Sequence, residues 1–244
     1  IAFFAVCLGL ITNGCTEEPE IEKNYSNEDI NLIGQRHNEG LDEVLKKFES
    51  SAIANKIHAK KSAGKGLSVQ DKLELARFLD DKAKDFISEN PLTQNGRKID
   101  MDPIEFSDEQ LLEFYNSDID KELTTKLQQK YFDKLEELYF EYSDDGAIFS
   151  QEVDKKLARA RIEIVDEDEL MTVLTMGSVL KYSNNYWQTD LKYGGWASIV
   201  LSDATNGASA ALWGLAAAGP LGAAVVGLNG AIIGSCTTYL IGEM

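Results

Sequence analysis

Reactive and helix-breaking residues are scarce in this chain, whose 244 residues include three cysteines, two histidines and four prolines. The two histidines, His37 and His58, lie too far apart for the His-Glu-x-x-His motif of zinc proteases. The sequence also lacks a Cys-x-x-Cys pair, a Gly-x-Ser-x-Gly motif, a Walker loop and a dinucleotide-binding fingerprint. These absences predict a protein that is not an enzyme, with no catalytic residues, no metal and no cofactor.

Basic residues are also in short supply. The chain has 24 lysines and arginines against 41 aspartates and glutamates, and its formal net charge is −17. No basic patch or basic stripe with interleaved aromatic residues occurs, so nucleic acid is excluded as an expected partner. An acidic surface keeps an exported protein soluble without supplying any chemistry.

An uncharged apolar run, 1–11, opens the chain and ends shortly before Cys15. The run is shorter than the ~20 residues that a membrane span needs and has the length of a signal-peptide core. We therefore expect 1–14 to be a signal peptide whose basic first part is missing, since the chain begins at Ile1. The alternative is a buried N-terminal strand or helix with an incidental cysteine. Removal of the signal and lipidation of Cys15 would leave only Cys236, so no intramolecular disulfide is expected.

The pair Gly14-Cys15 behind the apolar run resembles the lipobox of bacterial lipoproteins, although Thr12 and Asn13 depart from its usual residues. The resemblance implies cleavage before Cys15 and lipid attachment to its thiol and new amino terminus. The acidic pair Glu17-Glu18 resembles the surface-export signal of Bacteroidetes lipoproteins. Together these features imply a protein held on a membrane of the bacterial cell envelope, at the outer membrane or the cell surface.

Helical periodicity begins near Ile30, after an acidic segment, 15–29, that we interpret as a tether. From there to residue 193, apolar positions recur at spacings of three and four, which is typical of amphipathic helices. No stretch shows the sustained alternation of a strand. The first apolar stripe comprises Ile33, His37, Leu41, Val44 and Phe48, and the clearest one comprises Leu123, Leu127, Tyr131, Leu135, Leu138 and Tyr142.

Capping signals and turn residues divide this α-helical domain, 30–193. Ser68 with Asp71, and Ser107 with Gln110, fit capping boxes at helix N-termini. Turn residues in the segment 90–103 predict a loop there. Beyond these signals, the sequence predicts helices at 123–142, 151–164 and 167–182.

The segment 194–244 forms a second region in composition, because no charge occurs from 204 to 242. Gly219-Pro220 divides it into two halves of roughly membrane-spanning length, which predicts an apolar helical hairpin. Small residues recur along both halves and resemble a glycine zipper, a pattern that lets helices pack closely. The residues expected to pack are Ala210, Gly214, Ala218, Gly222, Gly227, Gly230, Ala231 and Gly234. Their partner is either the rest of the fold, a second copy of the chain or another envelope protein.

Two placements of this hairpin remain open from the sequence. It either lies buried within the helical domain or inserts into a membrane. Asp203, Asn206 and Asn229 argue against insertion, because such groups are costly at mid-bilayer depth without partners. Nearby Trp187 and Tyr186, with Tyr193 and Trp196, fit either a membrane-interface belt or an aromatic core.

Two further candidate sites have weaker support in the sequence. His37 lies on an apolar stripe, so we interpret it as a core histidine rather than a metal ligand or catalytic base. The segment 141–152 partly resembles an EF-hand loop, but Glu141 replaces the usual first aspartate. An ordinary Asp-Asp-Gly turn explains the same residues. The possible calcium ligands are Glu141, Ser143, Asp145 and Glu152.

The segments 37–42, 181–187 and 200–207, followed by the hairpin, are together similar to uncharacterised exported proteins of Bacteroidetes. The resemblance implies an envelope location and no known activity. The sequence therefore predicts an all-α protein: a helical bundle-like domain with a C-terminal Gly/Ala-rich apolar helical hairpin. We expect a lipid-anchored envelope protein with a binding or structural role. The alternative is a membrane-inserting, bacteriocin-like protein that oligomerises through the hairpin.

Overall fold

A computed structural model of the protein describes residues 25–101, 104–115, 119, 121–190 and 196–242. The signal-peptide prediction for 1–14, the lipidation of Cys15 and Tyr193 lie outside these residues. The all-α prediction is confirmed. Within the described residues the helices are α1 (Asn27–Glu49), α2 (Ala52–Ser62), α3 (Val69–Glu89), α4 (Asp108–Glu113), α5 (Lys126–Tyr142), α6 (Gly146–Glu163), α7 (Glu167–Asp190) and α8 (Trp196–Gly242), with a 3-10 turn at Lys121–Leu123.

Capping boxes begin several of these helices. Those predicted at Ser68 and Ser107 are confirmed, since each hydroxyl accepts a hydrogen bond from the backbone N–H three residues on. A third box, formed by Ser26 and Asp29, begins α1 at Asn27. Helical structure therefore starts within the segment 15–29 that we interpreted as a tether.

Helix α1 buries the predicted stripe from Ile33 to Phe48 against α7, α8 and α3. It runs parallel to α7 at close range, because Gly34 N–H donates to Ser178 Oγ at 3.0 Å and a Cβ at Gly34 would overlap the Tyr182 ring. The Ser178 hydroxyl in turn donates to the Ile30 carbonyl at 2.6 Å. The Ser178 hydroxyl of α7 therefore both accepts and donates a hydrogen bond at the contact with α1.

The sequence predicted a loop over the whole segment 90–103. The structure differs from this prediction in part of the segment. It contains an antiparallel hairpin of β1 (Thr93–Gln94) and β2 (Arg97–Lys98). The turn residues Asn95 and Gly96 have φ angles of 50° and 74°, a left-handed pair that favours Asn-Gly. Asp29 ties this hairpin to α1 by accepting hydrogen bonds from Thr93 Oγ1 and Asn95 N–H, both at 2.9 Å.

Three helix boundaries differ from the prediction. Helix α5 begins at Lys126, and Leu123 is 51 % exposed, so the predicted stripe does not extend to that residue. Helix α6 begins at Gly146 rather than near residue 151, because the Asp145 carboxylate accepts from the N–H groups of the first turn. Helix α7 continues past residue 182 to Asp190.

The predicted helical hairpin is confirmed in α8. Backbone angles leave the helical range only at Ala218 and Gly219, and Gly219 has a φ of 63°. The turn separates a first arm, 196–217, from a second arm, 220–242, which begins with Pro220. Both arms pack on α7, and α8 also contacts α1 and α3. The hairpin therefore shares one hydrophobic core with the helices before it.

Candidate functional site at the helical hairpin

The two arms of α8 contact each other through small residues. A Cβ added at Gly214 would overlap the carbonyl of Gly222, and one added at Gly230 would overlap the methyl group of Ala210. A larger side chain at these positions requires the arms to separate, because close-packed interiors hold no spare volume. These glycines therefore set the distance between the arms.

The remaining small residues extend the same contact. A Cβ at Gly207 would lie 3.2 Å from the Ala231 methyl, and one at Gly234 would overlap the Asn206 side chain. A Cβ at Gly227 would lie 2.7 Å from Thr175 Cγ2 of α7, so this glycine also allows α7 to pack closely against the second arm. Ala218 is exposed at the turn. These contacts lie within one chain, and association between chains through them stays a prediction.

A fully buried polar network joins the arms to α1 and α7. Its centre is Asp203, the sole charged residue of 196–242. Asp203 Oδ2 accepts hydrogen bonds from the Ser183 hydroxyl and from Trp187 Nε1, the latter at 3.0 Å. His37 Nε2 lies 3.7 Å from the same oxygen and 2.7 Å from Ser235 Oγ. One cluster therefore ties four helical segments together.

Ser235, His37 and Asp203 are the residue types of a hydrolytic triad, but their arrangement differs from one. In a triad, the serine and the carboxylate contact opposite nitrogens of the imidazole. Here both lie near Nε2, while Nδ1 is 2.9 Å from Asn38 Oδ1. His37, Asp203 and Ser235 are each 0 % exposed, so a substrate cannot reach them. The geometry fits a structural network, with His37 as a core histidine.

Burial governs the acid–base properties of this network. It raises the pKa of Asp203, and His37 together with the hydrogen bonds from Ser183, Ser235 and Trp187 opposes that rise. Burial, assisted by the charge of Asp203, also raises the pKa of the Cys236 thiol. A buried thiol with a raised pKa is a poor nucleophile. Cys236 therefore acts as a small apolar residue.

The other amide side chains of the hairpin also have partners in the surrounding fold. Asn206 Nδ2 donates to the Phe114 carbonyl at the end of α4, at 3.3 Å, and to Ser202 Oγ at 3.0 Å. Asn229 Nδ2 donates to Asp80 Oδ1 of α3 at 2.8 Å. Each of the three residues that make membrane insertion costly therefore makes at least one hydrogen bond inside this fold, although Asp203 Oδ1 and Asn229 Oδ1 have no partner among the described residues.

Two aromatic residues before the hairpin, Trp187 and Tyr186, pack where it docks. Trp187 is 2 % exposed, stacks on Tyr239 of the second arm with ring centroids 5.4 Å apart, and meets Tyr186 edge to face. The hydroxyl of Tyr186 donates to Asp42 Oδ1 at 2.5 Å. This packing favours the aromatic-core interpretation of Trp187.

The EF-hand-like residues lie around the junction of α5 and α6 and serve local contacts. Asp145 caps α6, the Ser143 carbonyl accepts from Asn184 Nδ2 at 3.3 Å, and Glu152 pairs with Lys155 at 2.6 Å. Glu141 lies near the end of α5. Among the described residues, no group of three or more His, Cys, Asp or Glu side chains is placed to hold a metal ion.

Sequence reasoning missed three polar residues of these networks: Ser183 on α7, Asp80 on α3 and Ser235 within the hairpin itself. Each is a polar residue whose burial depends on a helix distant in sequence. The one available signal was Asp203 itself, since an isolated carboxylate in an apolar helix requires buried donors. That signal indicates that partners exist without identifying them.

Comparison of the chain with models of protein families, with curated proteins and with solved structures found no match. Within the described residues, one helical segment, Ala197–Ile241, is long and apolar enough to span a membrane, and half of its most apolar window is buried. Core helices of soluble proteins have the same property.

Proposed function

We propose that this chain is a lipid-anchored protein of the bacterial cell envelope, with a binding or structural role. In this proposal the hairpin is the internal core of the helical domain, and the lipid on Cys15 is the membrane anchor. The interior position of the hairpin is supported by the hydrogen bonds that its buried polar side chains make. The network of Asp203 and the bonds of Asn206 and Asn229 all end on neighbouring helices.

Asp203 has different surroundings in the two possible placements of the hairpin. In the fold, its carboxylate accepts hydrogen bonds from Ser183 and Trp187 and lies beside His37. Moving it to the middle of a bilayer removes those partners and costs at least ~2.5–3.5 kcal/mol for the charged group. An interior position therefore suits this hairpin better than a transmembrane one, and the anchor must come from elsewhere in the chain. The motif at Cys15 supports a lipid in that role.

The test is membrane fractionation with alkaline carbonate extraction of the full-length protein, expressed with a functional export signal. Cys15→Ala should be exported and become soluble, because it removes the only acylation site. Cys7→Ala is the matched control, since it alters a cysteine that leaves with the signal, and it should remain in the membrane fraction. Retention of Cys15→Ala in the carbonate pellet would refute the proposal.

A second candidate function is favoured by one observation. Residues 216–218 at the hairpin turn are apolar and exposed. In this candidate the protein inserts its hairpin into a bilayer and oligomerises through the small residues. If this candidate function is correct, the Cys15→Ala protein should stay in the membrane fraction after carbonate extraction. It should also release dye from phosphatidylcholine–phosphatidylglycerol vesicles. Carbonate-soluble protein that leaves vesicles intact would exclude it.

A further inference from the structure

Three exposed apolar side chains lie at one end of the helical bundle. Ile162 and Val165 are 81 % and 84 % exposed around the end of α6, and Leu123 is 51 % exposed just before α5. The start of α5 and the end of α6 are adjacent, because Lys130 Nζ contacts Glu163 Oε2 at 2.6 Å. The three apolar side chains therefore share this end of the fold.

The turn of α8 lies at the same end. A Cβ at Gly219 would lie 3.9 Å from Asp168 Oδ1, in the first turn of α7 and three residues after Val165. The turn carries no charge, and its residues 216–218 are exposed alanines. Large apolar side chains and an apolar turn thus face solvent together. We call this set the apolar end: Leu123, Ile162, Val165 and 216–218.

The segment that precedes the described fold joins it at the apolar end as well. The carbonyl of Tyr25, the first described residue, accepts a hydrogen bond from Arg161 Nη1 at 3.0 Å, and Arg161 is adjacent to Ile162. Cys15 lies ten residues before Tyr25, a distance that a chain spans with at most ~35 Å. The far end of α7 lies ~36 Å away from its start, since its 24 residues rise 1.5 Å each. A lipid on Cys15 therefore favours an orientation with the apolar end nearest the membrane.

The charges beside the apolar end favour one kind of lipid. Four successive acidic residues, 166–169, follow Val165. The nearby cations Lys130 and Arg159 already pair with Glu163. Carboxylates repel an anionic lipid surface, whereas the ammonium groups of zwitterionic phospholipids attract them. The acidic residues therefore favour a zwitterionic surface.

We propose that the apolar end docks onto the surface of a zwitterionic phospholipid membrane. Leu123, Val165 and the turn 216–218 enter the headgroup layer, and the buried part of the hairpin stays inside the fold. Peripheral elements of this kind bury their apolar side chains ~5–10 Å into a membrane. The proposal rests on the lipid anchor at Cys15 and adds the surface with which the anchored domain meets its membrane.

The test places a nitrobenzoxadiazole probe on the acylated full-length chain, bound to phosphatidylcholine vesicles. Ala217→Cys gives the reporting position, because Ala217 is exposed and the thiol of Cys236 is fully buried. Phe140→Cys is the matched control, since Phe140 is 73 % exposed near the far end of α5. Lipid with brominated acyl chains should quench about half or more of the emission at Ala217 and leave that at Phe140 unchanged.

Charge substitutions test whether the exposed apolar side chains make the contact. Ile162→Asp combined with Val165→Asp should lower the quenching at Ala217 at least about twofold, because a carboxylate is costly to bring into the membrane. Ile148→Asp is the matched control, since Ile148 is 45 % exposed at the start of α6, away from the apolar end. It should leave the quenching at Ala217 unchanged.

Equal quenching at Ala217 and Phe140, or quenching at neither, would overturn the docking proposal. Unchanged quenching in the variant with Ile162→Asp and Val165→Asp would overturn it too, and stronger quenching in phosphatidylglycerol vesicles would overturn the choice of lipid. A second arm separates this proposal from the anchor: a hexahistidine tag replaces 1–15 and binds nickel-chelating lipid in phosphatidylcholine vesicles. This arm decides the docking by the same comparison of positions even if the fractionation test shows that Cys15 carries no lipid.

Discussion

Replacement of Gly230 by alanine tests whether glycine sets the separation of the hairpin arms. A Cβ at this position would overlap the Ala210 methyl, and it would lie 3.0 Å from the Asn206 carbonyl oxygen and 3.1 Å from Phe114 Cε1. Two of these three neighbours belong to the first arm, which cannot yield without moving its backbone. The arms must therefore separate around the centre of their contact.

The size of the effect follows from three contributions, of which one is stabilising and two are destabilising. Overpacking of a well-packed interior costs about 1–3 kcal/mol. The higher helix propensity of alanine returns about 1 kcal/mol. Separation of the arms also weakens the Ser202–Thr238 hydrogen bond, which is 2.6 Å long and contributes about 1 kcal/mol. Gly230→Ala should therefore lower the free energy of unfolding by about 1–3 kcal/mol.

The assay is urea unfolding followed by circular dichroism, with the free energy of unfolding extrapolated to water. Gly66→Ala is the matched control, because a Cβ at Gly66 has no atom within 4 Å. It should leave stability unchanged within about 0.5 kcal/mol. Adding Ala210→Gly to Gly230→Ala removes the methyl group that collides, so the double variant should recover part of the loss. A Gly230→Ala protein as stable as Gly66→Ala would refute the reasoning.

Three further predictions concern buried or capping groups. The pKa of Asp203 is raised in the folded protein, so its carboxyl favours folding below the unfolded pKa of ~3.9 and opposes it as pH rises through the folded pKa. Asp203→Asn should make the decline of urea midpoints between pH 4 and 7 shallower than in the wild type, since Asp80, whose pKa burial also raises, still contributes. The exposed control Asp81→Asn should keep the wild-type slope; an unchanged slope in Asp203→Asn contradicts the prediction. Ser68→Ala removes the N-cap of α3 and should lower the free energy of unfolding by about 1 kcal/mol in urea titrations, whereas the exposed Ser62→Ala should match the wild type. Cys236, in a chain carrying Cys7→Ala and Cys15→Ala, should react with Ellman's reagent only after unfolding, because the native thiol is fully buried with a raised pKa; rapid labelling of the folded chain would count against this.

Local signals in the sequence were enough for much of the fold. The stripe of α1 and the capping boxes at Ser68 and Ser107 depend on residues three or four positions apart, and the structure confirms them. The division of the apolar segment at Gly219-Pro220 is local as well, because it depends on backbone restrictions of two adjacent residues.

Features that depend on distant residues were not predictable. The partners of Asp203 include His37, 166 positions earlier, and no periodicity connects the two. Asp29 belongs to a capping box, but its bonds to the β1–β2 turn require contact across more than sixty residues. Leu123 shows the converse, since it has the spacing of a buried residue yet lies before α5 and is exposed. Tertiary contacts decide each of these cases.

The position of the hairpin in the chain has a consequence for how the protein folds. The element in contact with α1, α3 and α7 at once is α8, which is also the last described helix to be synthesised. Residues 25–190 therefore leave the ribosome before the segment that covers their apolar faces exists. Folding of this core cannot be completed domain by domain during synthesis, as it often is in multidomain chains. A core that α8 closes remains incomplete until this helix has been made, which suits the export across a membrane that we propose.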